Sequence, residues 1–282
     1  MQIQNTILQT RNLVKQWRLE GLTIGFVPTM GFLHEGHISL ITRAKEVCDK
    51  IVVSIFVNPT QFAPSEDLST YPRDLENDLK MLQDADVDLV FVPNDLEMYP
   101  TNFTYVNINS LSESLCGKSR PNHFKGVCTI VTKLFNIVTP THAFFGQKDA
   151  QQGAIITQMV KDLNMDIVIE LCPTIRDSNG LAKSSRNSYL NSEELKAALV
   201  LSRSISLAKT AIAQGDKNTA AIRNMLISEI KKEPLAQVDY VEIVHSKTLQ
   251  HIEEIQDEYL IALAVFIGKT RLIDNYIGGL TN

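Results

Sequence analysis

"TIGFVPTMGFLHEGHISLITRAKEVCDKIVVSIFVN", residues 23–58, runs from one apolar segment through two glycines and two histidines into a helical pattern, and then into a second apolar segment. "TIGFVP" (23–28) and "IVVSIFVN" (51–58) have the length and β-branched content of buried strands. Between them Leu40, Ile41, Ala44, Val47 and Cys48 recur at helical spacing, which gives the intervening helix one apolar face. A strand, a helix and a strand in that order favour parallel pairing through a right-handed crossover.

The alternation continues downstream. An amphipathic stretch around Leu75, Leu79 and Leu82 precedes a strand at 87–93, and "GVCTIVTKLFNIV" presents Val127, Ile130, Val131, Leu134 and Val138 on one side. "HAFFG" (142–146), a helix near 150–162 and the strand "DIVIEL" (166–171) complete a doubly wound parallel α/β sheet of Rossmann type. After Pro173 the pattern changes: "RDSNGLAKSSRNSYL" has no period and reads as a hinge or an active-site loop. Asn191 with Glu194 forms a capping box for a helix whose inward face includes Leu195, Ala198 and Leu199, and a second helix spans about 217–232. Strands at 238–245, 259–268 and 270–277 follow, the last two joined as a hairpin. The expected division is a Rossmann-like domain over 1–175 and a smaller C-terminal α+β domain over 176–282.

Composition narrows the function classes. A hydrophobic share of 44%, a charged share of 21% and a net charge of -5 suit a globular protein with a sizeable core and no general attraction to nucleic acid. No stretch reaches the roughly 18 apolar residues that cross a bilayer. The cysteines at 48, 116, 128 and 172 show no CxxC spacing and read as free thiols of a reducing compartment, the cytoplasm.

In an open parallel sheet, ligands bind beyond the carboxyl ends of the strands, where loops meet helix N-termini. Four polar clusters stand at such places: "PTMGFLHEGH" (28–37), "NPTQF" (58–62), "GQKDAQQ" (146–152) and "KSSRN" (183–187). His34 and His37 begin a helix whose free N–H groups and dipole favour an anion such as phosphate. Zinc is a poorer reading, since no third or fourth ligand is near and Glu35 points away. Asn58 and Gln61 suit the hydroxyls and carboxylate of a small polar substrate. Lys148 is a point charge for a phosphate, and Lys183, Ser184, Ser185 and Arg186 together suit a triphosphate.

The H-x-G-H and S-S-R motifs resemble the signatures of the nucleotidylyltransferase superfamily. With "YPRDLENDL" (71–79), "SRPNHFKGVCTIVTKLFN" (119–136) and "RLIDN" (271–275) added, the chain resembles the pantothenate synthetases, the pantoate:beta-alanine ligase family, in register from about residue 20 to 277. The resemblance implies a homodimeric, AMP-forming ligase: pantoate and ATP give a pantoyl adenylate and pyrophosphate, and β-alanine then displaces AMP. It implies that Met30, Gly31, Phe32, Leu33, His34, Glu35, Gly36 and His37 line the ATP site, with His34 and His37 on phosphates and His37 as acid/base group. Gly146, Gln147, Lys148 and Asp149 would also contact ATP, as would Ile175 and Lys183 to Arg186. Asn58, Gln61 and Gln152 would hold pantoate, bordered by Arg120 and His123. Mg2+ is implied by ATP chemistry, with no compact carboxylate cluster for it and Asp78 as an outer contact only. Lys183 stands where the family often has Met or Leu, an added cation expected to help hold a triphosphate. Another nucleotidylyltransferase of the H-x-G-H superfamily is the alternative.

Overall fold

The computed structural model describes residues 1–101, 103–256 and 258–279. Its first sheet uses β1 (Gln2–Gln4), β2 (Ile24–Thr29), β3 (Lys50–Ile55), β4 (Leu89–Phe91), β5 (His142–Gly146) and β6 (Val168–Cys172) in the order β1-β4-β3-β2-β5-β6, every pair parallel. The helices are α1 (Ile7–Leu19), α2 (Glu35–Val47), α3 (Leu75–Asp84), α4 (Asp95–Met98), α5 (Cys116–Ser119), α6 (His123–Val138) and α7 (Ala150–Asp162). From β2 the chain steps outward to β3 and β4, then returns to the other side of β2 with β5 and β6. The reversal between β2 and β5 is the topological switch point of the sheet. Phe26, Val27, Val52, Val53 and Phe144 are fully buried on these central strands, each contributing about 1.5–3 kcal/mol by its removal from water.

The remainder forms α8 (Ser192–Ala213), α9 (Thr219–Ile230) and an antiparallel sheet of β7 (Ala236–His245), β8 (Tyr259–Ile267) and β9 (Thr270–Gly278). Its own core gathers Leu201, Ile222, Leu226, Val241, Ile261 and Leu263. Leu115, Val244, Leu249, Leu260 and Ala262 close a smaller apolar cluster where the two parts meet.

Several expectations shift in detail. Asn191 does cap α8: its Oδ1 accepts from the Glu193 and Glu194 N–H groups at 2.9 and 3.0 Å, and Glu194 accepts from the Asn191 N–H at 2.9 Å. The buried face of α8 is Ala197, Ala198, Val200, Leu201, Ser204, Ile205 and Ala208, so Leu195, 38% exposed, is not part of it. The helix is long enough to rest on the β-sheet through small residues, which apolar spacing alone ranks low. Strand β1 and helix α1, absent from the sequence reading, are short or mostly polar; α1 buries only Thr10, Val14 and Trp17. Strand β4 is three residues long where seven were expected: at its start the Val87 N–H bonds back to Leu82 O of α3 at 3.1 Å, and at its end Pro93 has no N–H to continue the ladder.

Candidate active site

Strands β2, β3 and β5 lie side by side, so the loops after them share one rim of the sheet. After β2 the backbone turns back through Gly31 and Phe32, both with positive φ (79° and 51°). For phenylalanine that conformation costs on the order of 1–3 kcal/mol. Asp78, 1% exposed on α3, offsets it by accepting the Phe32 and Leu33 N–H groups at 2.9 and 2.7 Å. Asp78 is therefore a clamp on the loop with both oxygens in use. Burial pushes its carboxyl up, and the two N–H donors only partly oppose this.

The loop delivers His34 and His37 to the first turn of α2. The Gly36 N–H donates to His34 Nδ1 at 3.1 Å, and the His34 N–H donates to His37 Nδ1 at 3.2 Å. A ring nitrogen that accepts carries no proton, so in the neutral ring the proton sits on Nε2. The two rings pack at 4.2 Å between centroids. Burial, reinforced by the Lys148 charge, lowers His34 to about 4. Burial, then the His34 and Lys148 charges, lowers His37 to about 3. Both are neutral hydrogen-bond donors at pH 7. The glycine of H-x-G-H has a steric cause: a Cβ at Gly36 would lie 2.8 Å from His34 Cε1.

After β3, Asn58 is 1% exposed and its amide is spent internally. It donates to Gln61 Oε1 (3.1 Å) and Gly126 O (3.3 Å), and accepts from Thr60 Oγ1 (3.0 Å) and Tyr99 Oη (2.7 Å). Asn58 thus orients Gln61, whose Nε2 meets Met30 Sδ at 3.1 Å. The turn Pro59–Gln61 packs on α6 so closely that a Cβ at Gly126 would stand 2.4 Å from Thr60 O. His123 Nδ1 donates to Gln61 O at 3.0 Å, which leaves Nε2 unprotonated. Burial and the Arg120 charge lower His123 to about 4.

After β5, Gly146 leads into the turn Gln147–Asp149. Asn275 of β9 donates to the Gln147 and Lys148 carbonyls at 3.0 and 2.7 Å, fixing the turn that carries Lys148. Both adjacent glutamines border a cavity of about 1130 Å³, but the Gln151 amide is buried and spent on Cys116 N, Leu111 O and Ser114 O. Lys148, Asp149, Arg120, His123, Ser184 and Arg186 line the same cavity. His34, His37, Asn58 and Gln61 are not among its walls, although the Lys148 charge reaches both histidine rings.

The unperiodic loop after β6 is an ordered turn. Arg176 pairs with Ala182 as an antiparallel bridge, the Lys183 N–H donates to Ile175 O at 2.9 Å, and Arg176 forks onto buried Asp274 at 2.7 Å through both Nη atoms. Ser185, also buried, donates to Phe32 O at 3.1 Å and joins this loop to the histidine loop. Ser184 Oγ caps the next turn by accepting the Arg186 N–H at 3.3 Å.

The cations expected on phosphates, Lys148, Lys183 and Arg186, all have internal partners, as does Arg120, expected beside pantoate. Lys183 meets Asp177 at 2.6 Å and Glu35 at 3.2 Å, so the added cation is already neutralised. Arg186 forks onto Asp67 (3.0 and 2.9 Å), Arg120 forks onto Glu66 (2.7 and 2.7 Å), and Lys148 lies 3.5 Å from Asp149. Among the described residues no three His, Cys, Asp or Glu side chains converge as metal ligands, and no helix is long and apolar enough to cross a membrane. The four cysteines are free. Sequence reasoning missed the supports: Thr60, Tyr99 and Gly126 behind Gln61, Asp274 and Asn275 on β9, and the acidic pair Glu66 and Asp67. "RLIDN" and "ED" were visible as strings, but their partners lie about 50 to 130 positions away, beyond any local pattern.

A family profile described as pantoate-beta-alanine ligase matches residues 2–277. The chain belongs to that family. Pantothenate synthetase from Clostridium botulinum strain Langeland is 55% identical over 277 residues, covering 98% of this chain and 99% of the relative. The one from Ruminiclostridium cellulolyticum is 56% identical, covering 98% of each chain. Among solved structures, pantothenate synthetase from Thermus thermophilus superposes with a TM-score of 0.93 at 40% identity, covering 98% of this chain and 99% of that one. Pantoate-beta-alanine ligase from Francisella tularensis, solved with β,γ-ATP and β-alanine, gives 0.81 at 37% identity, covering 100% of this chain and 99% of that one. Like these pantoate-beta-alanine ligases, the chain pairs a six-stranded parallel sheet with a small antiparallel C-terminal sheet.

Proposed function

We propose that this ligase joins pantoate to β-alanine in two steps, with ATP as the activating substrate. The pantoate carboxylate attacks the α-phosphorus of ATP, giving pantoyl adenylate and releasing pyrophosphate. The β-alanine amine then attacks the acyl carbon and AMP leaves. A free carboxylate resists amine attack because its leaving group is poor, and adenylation removes that obstacle.

The observation that carries the reading is the locked pair His34 and His37. Each presents an Nε2–H donor from a helix N-terminus beside Lys148, a set suited to negative charge that grows on phosphate oxygens. In this role both act as neutral donors, and His37 serves as a donor rather than as an acid/base group. Met30 to His37, Gly146 to Asp149, Ile175 and Lys183 to Arg186 form the nucleotide site. Gln152 and Gln61 hold pantoate, Asn58 acts by fixing Gln61, and Arg120, whose Nη2 donates to Gln61 O at 3.4 Å, joins His123 in fixing that carbonyl. Mg2+ would be held chiefly by the substrate phosphates with one or two carboxylates, and the described residues, which form no cage of their own, fit that manner of binding. When bound it would neutralise phosphate charge, with Asp149 as the carboxylate nearest to Lys148.

We further propose two domains, 1–175 and 176–282, a homodimer and a cytoplasmic location. The activity test is pantoate-dependent exchange of labelled pyrophosphate into ATP without β-alanine. Exchange is expected, with a loss of at least about tenfold in the alanine variants of His34 or His37. An intact, folded sample with no exchange would rule the reading out.

A further inference from the structure

The segment Ala63–Tyr71 between β3 and α3 has no regular structure and crosses the cleft as a strap. Its backbone bonds, Glu66 N–H to Ala63 O at 2.9 Å and Thr70 N–H to Asp67 O at 3.2 Å, close turns within the strap itself. What ties it down from the cavity side is charge. Glu66 forks onto Arg120 beside α6, and Asp67 forks onto Arg186 in the loop after β6. Tyr189 Oη adds bonds to Asp67 Oδ2 (3.3 Å) and Thr70 O (3.2 Å). Burial alone would raise both carboxyls, but the arginine hydrogen bonds and charges prevail and both are lowered.

Space lies on either face of the strap. Ser65, Asp67 and Thr70 line the cavity of about 1130 Å³ that holds Lys148 and Gln152. Ala63, Pro64 and Leu68 line a second cavity of about 720 Å³, bounded across from them by Met30, Leu75 and Pro93. Within the strap Ser65, Asp67 and Thr70 face only the first cavity and Ala63, Pro64 and Leu68 only the second, while Glu66 and Ser69 border both.

A carboxylate forked onto a guanidinium has the charge and planar geometry of the anion that guanidinium would otherwise bind. We propose that Glu66 and Asp67 are internal anionic competitors: they occupy Arg120 and Arg186 until the polyanionic nucleotide takes Arg186, and the strap is released when it does. This rests on the reading of Arg186 as a phosphate ligand. The binding-competent form, with the strap released, is then a minor population, and apparent ligand affinity is reduced by that fraction. Loosening the strap at any of its anchors raises the fraction.

Inorganic pyrophosphate is the probe, and calorimetric dissociation constants are the measurement, made on the full chain and on Asp67→Asn, Glu66→Gln and Tyr189→Phe. Asp67→Asn keeps the shape and removes the competing charge, so it is expected to bind pyrophosphate about tenfold more tightly than the parent. Glu66→Gln and Tyr189→Phe should tighten binding by smaller factors, Tyr189→Phe without altering any charge. Melting curves establish which variants are folded; if Asp67→Asn is not, the other two decide by the same criterion. Equal or weaker binding by the folded variants overturns the proposal, as does absence of pyrophosphate binding in all four proteins. Failure of the activity reading is seen separately, in the exchange assay on the parent, where the ratio of dissociation constants plays no part.

Discussion

His34, His37 and His123 are each held neutral below the pH at which an exposed histidine protonates. Their lowered values, about 4, 3 and 4, mean that the unfolded chain binds more protons than the folded one between pH 6.5 and about 4. The stability they contribute is complete above pH 6.5 and is lost as pH falls through that window, by up to about 2 kcal/mol for each ring at pH 5. Urea titrations from pH 7.5 to pH 5 are expected to show a falling unfolding free energy, with a shallower slope in His123→Gln. A flat profile in the parent would contradict the neutral assignment. The sequence made the two rings of H-x-G-H legible through their place at a strand end and a helix start. It did not make Nδ1 acceptance legible, because that depends on the Phe32 conformation and on Asp78, some forty residues further on.

The contact between α6 and the turn Pro59–Gln61 shows how an element transmits position. Gly126 lets the helix backbone reach Thr60 and Gln61, and Asn58 bonds back to Gly126 O at 3.3 Å. Gly126→Ala inserts a methyl group where only backbone atoms stand, so the turn must move, at a cost of about 1–3 kcal/mol. The expected outcome is a lower urea midpoint together with a raised KM for pantoate, and a KM for ATP that changes little. If the KM for pantoate is unaltered, Gln61 is not held in place by this contact. Periodicity read α6 correctly, since its apolar stripe is continuous, but a glycine in a helix pattern looks like a weakness rather than a docking point. The turn Arg176–Ala182 escaped for a related reason: its order comes from Asp274, almost a hundred residues away on β9.

At the scale of the whole molecule, strand and helix order in the sequence was enough to read the second sheet and five of the six strands of the first, and the switch point put three of the four polar clusters on adjacent strands. The ion pairs across the cleft were not readable, because complementary charges in distant loops leave no local pattern. Assembly belongs to this scale as well: sedimentation equilibrium is expected to give twice the 31.6 kDa of one chain, and a single-chain mass at micromolar concentration would exclude the homodimer.

The pairing of Arg120, Arg186, Lys148 and Lys183 has a kinetic side. A pocket lined by exposed positive charge draws a polyanion in from a distance, and its association rate falls steeply as salt is added. Here Arg120, Arg186, Lys148 and Lys183 are each covered by a carboxylate at 2.6–3.5 Å, on a chain of net charge -5. These pairs weaken the long-range field at the mouth of the cleft, so they reduce the steering of a nucleotide toward it. The positive charge becomes available only on contact, as one anion is exchanged for another.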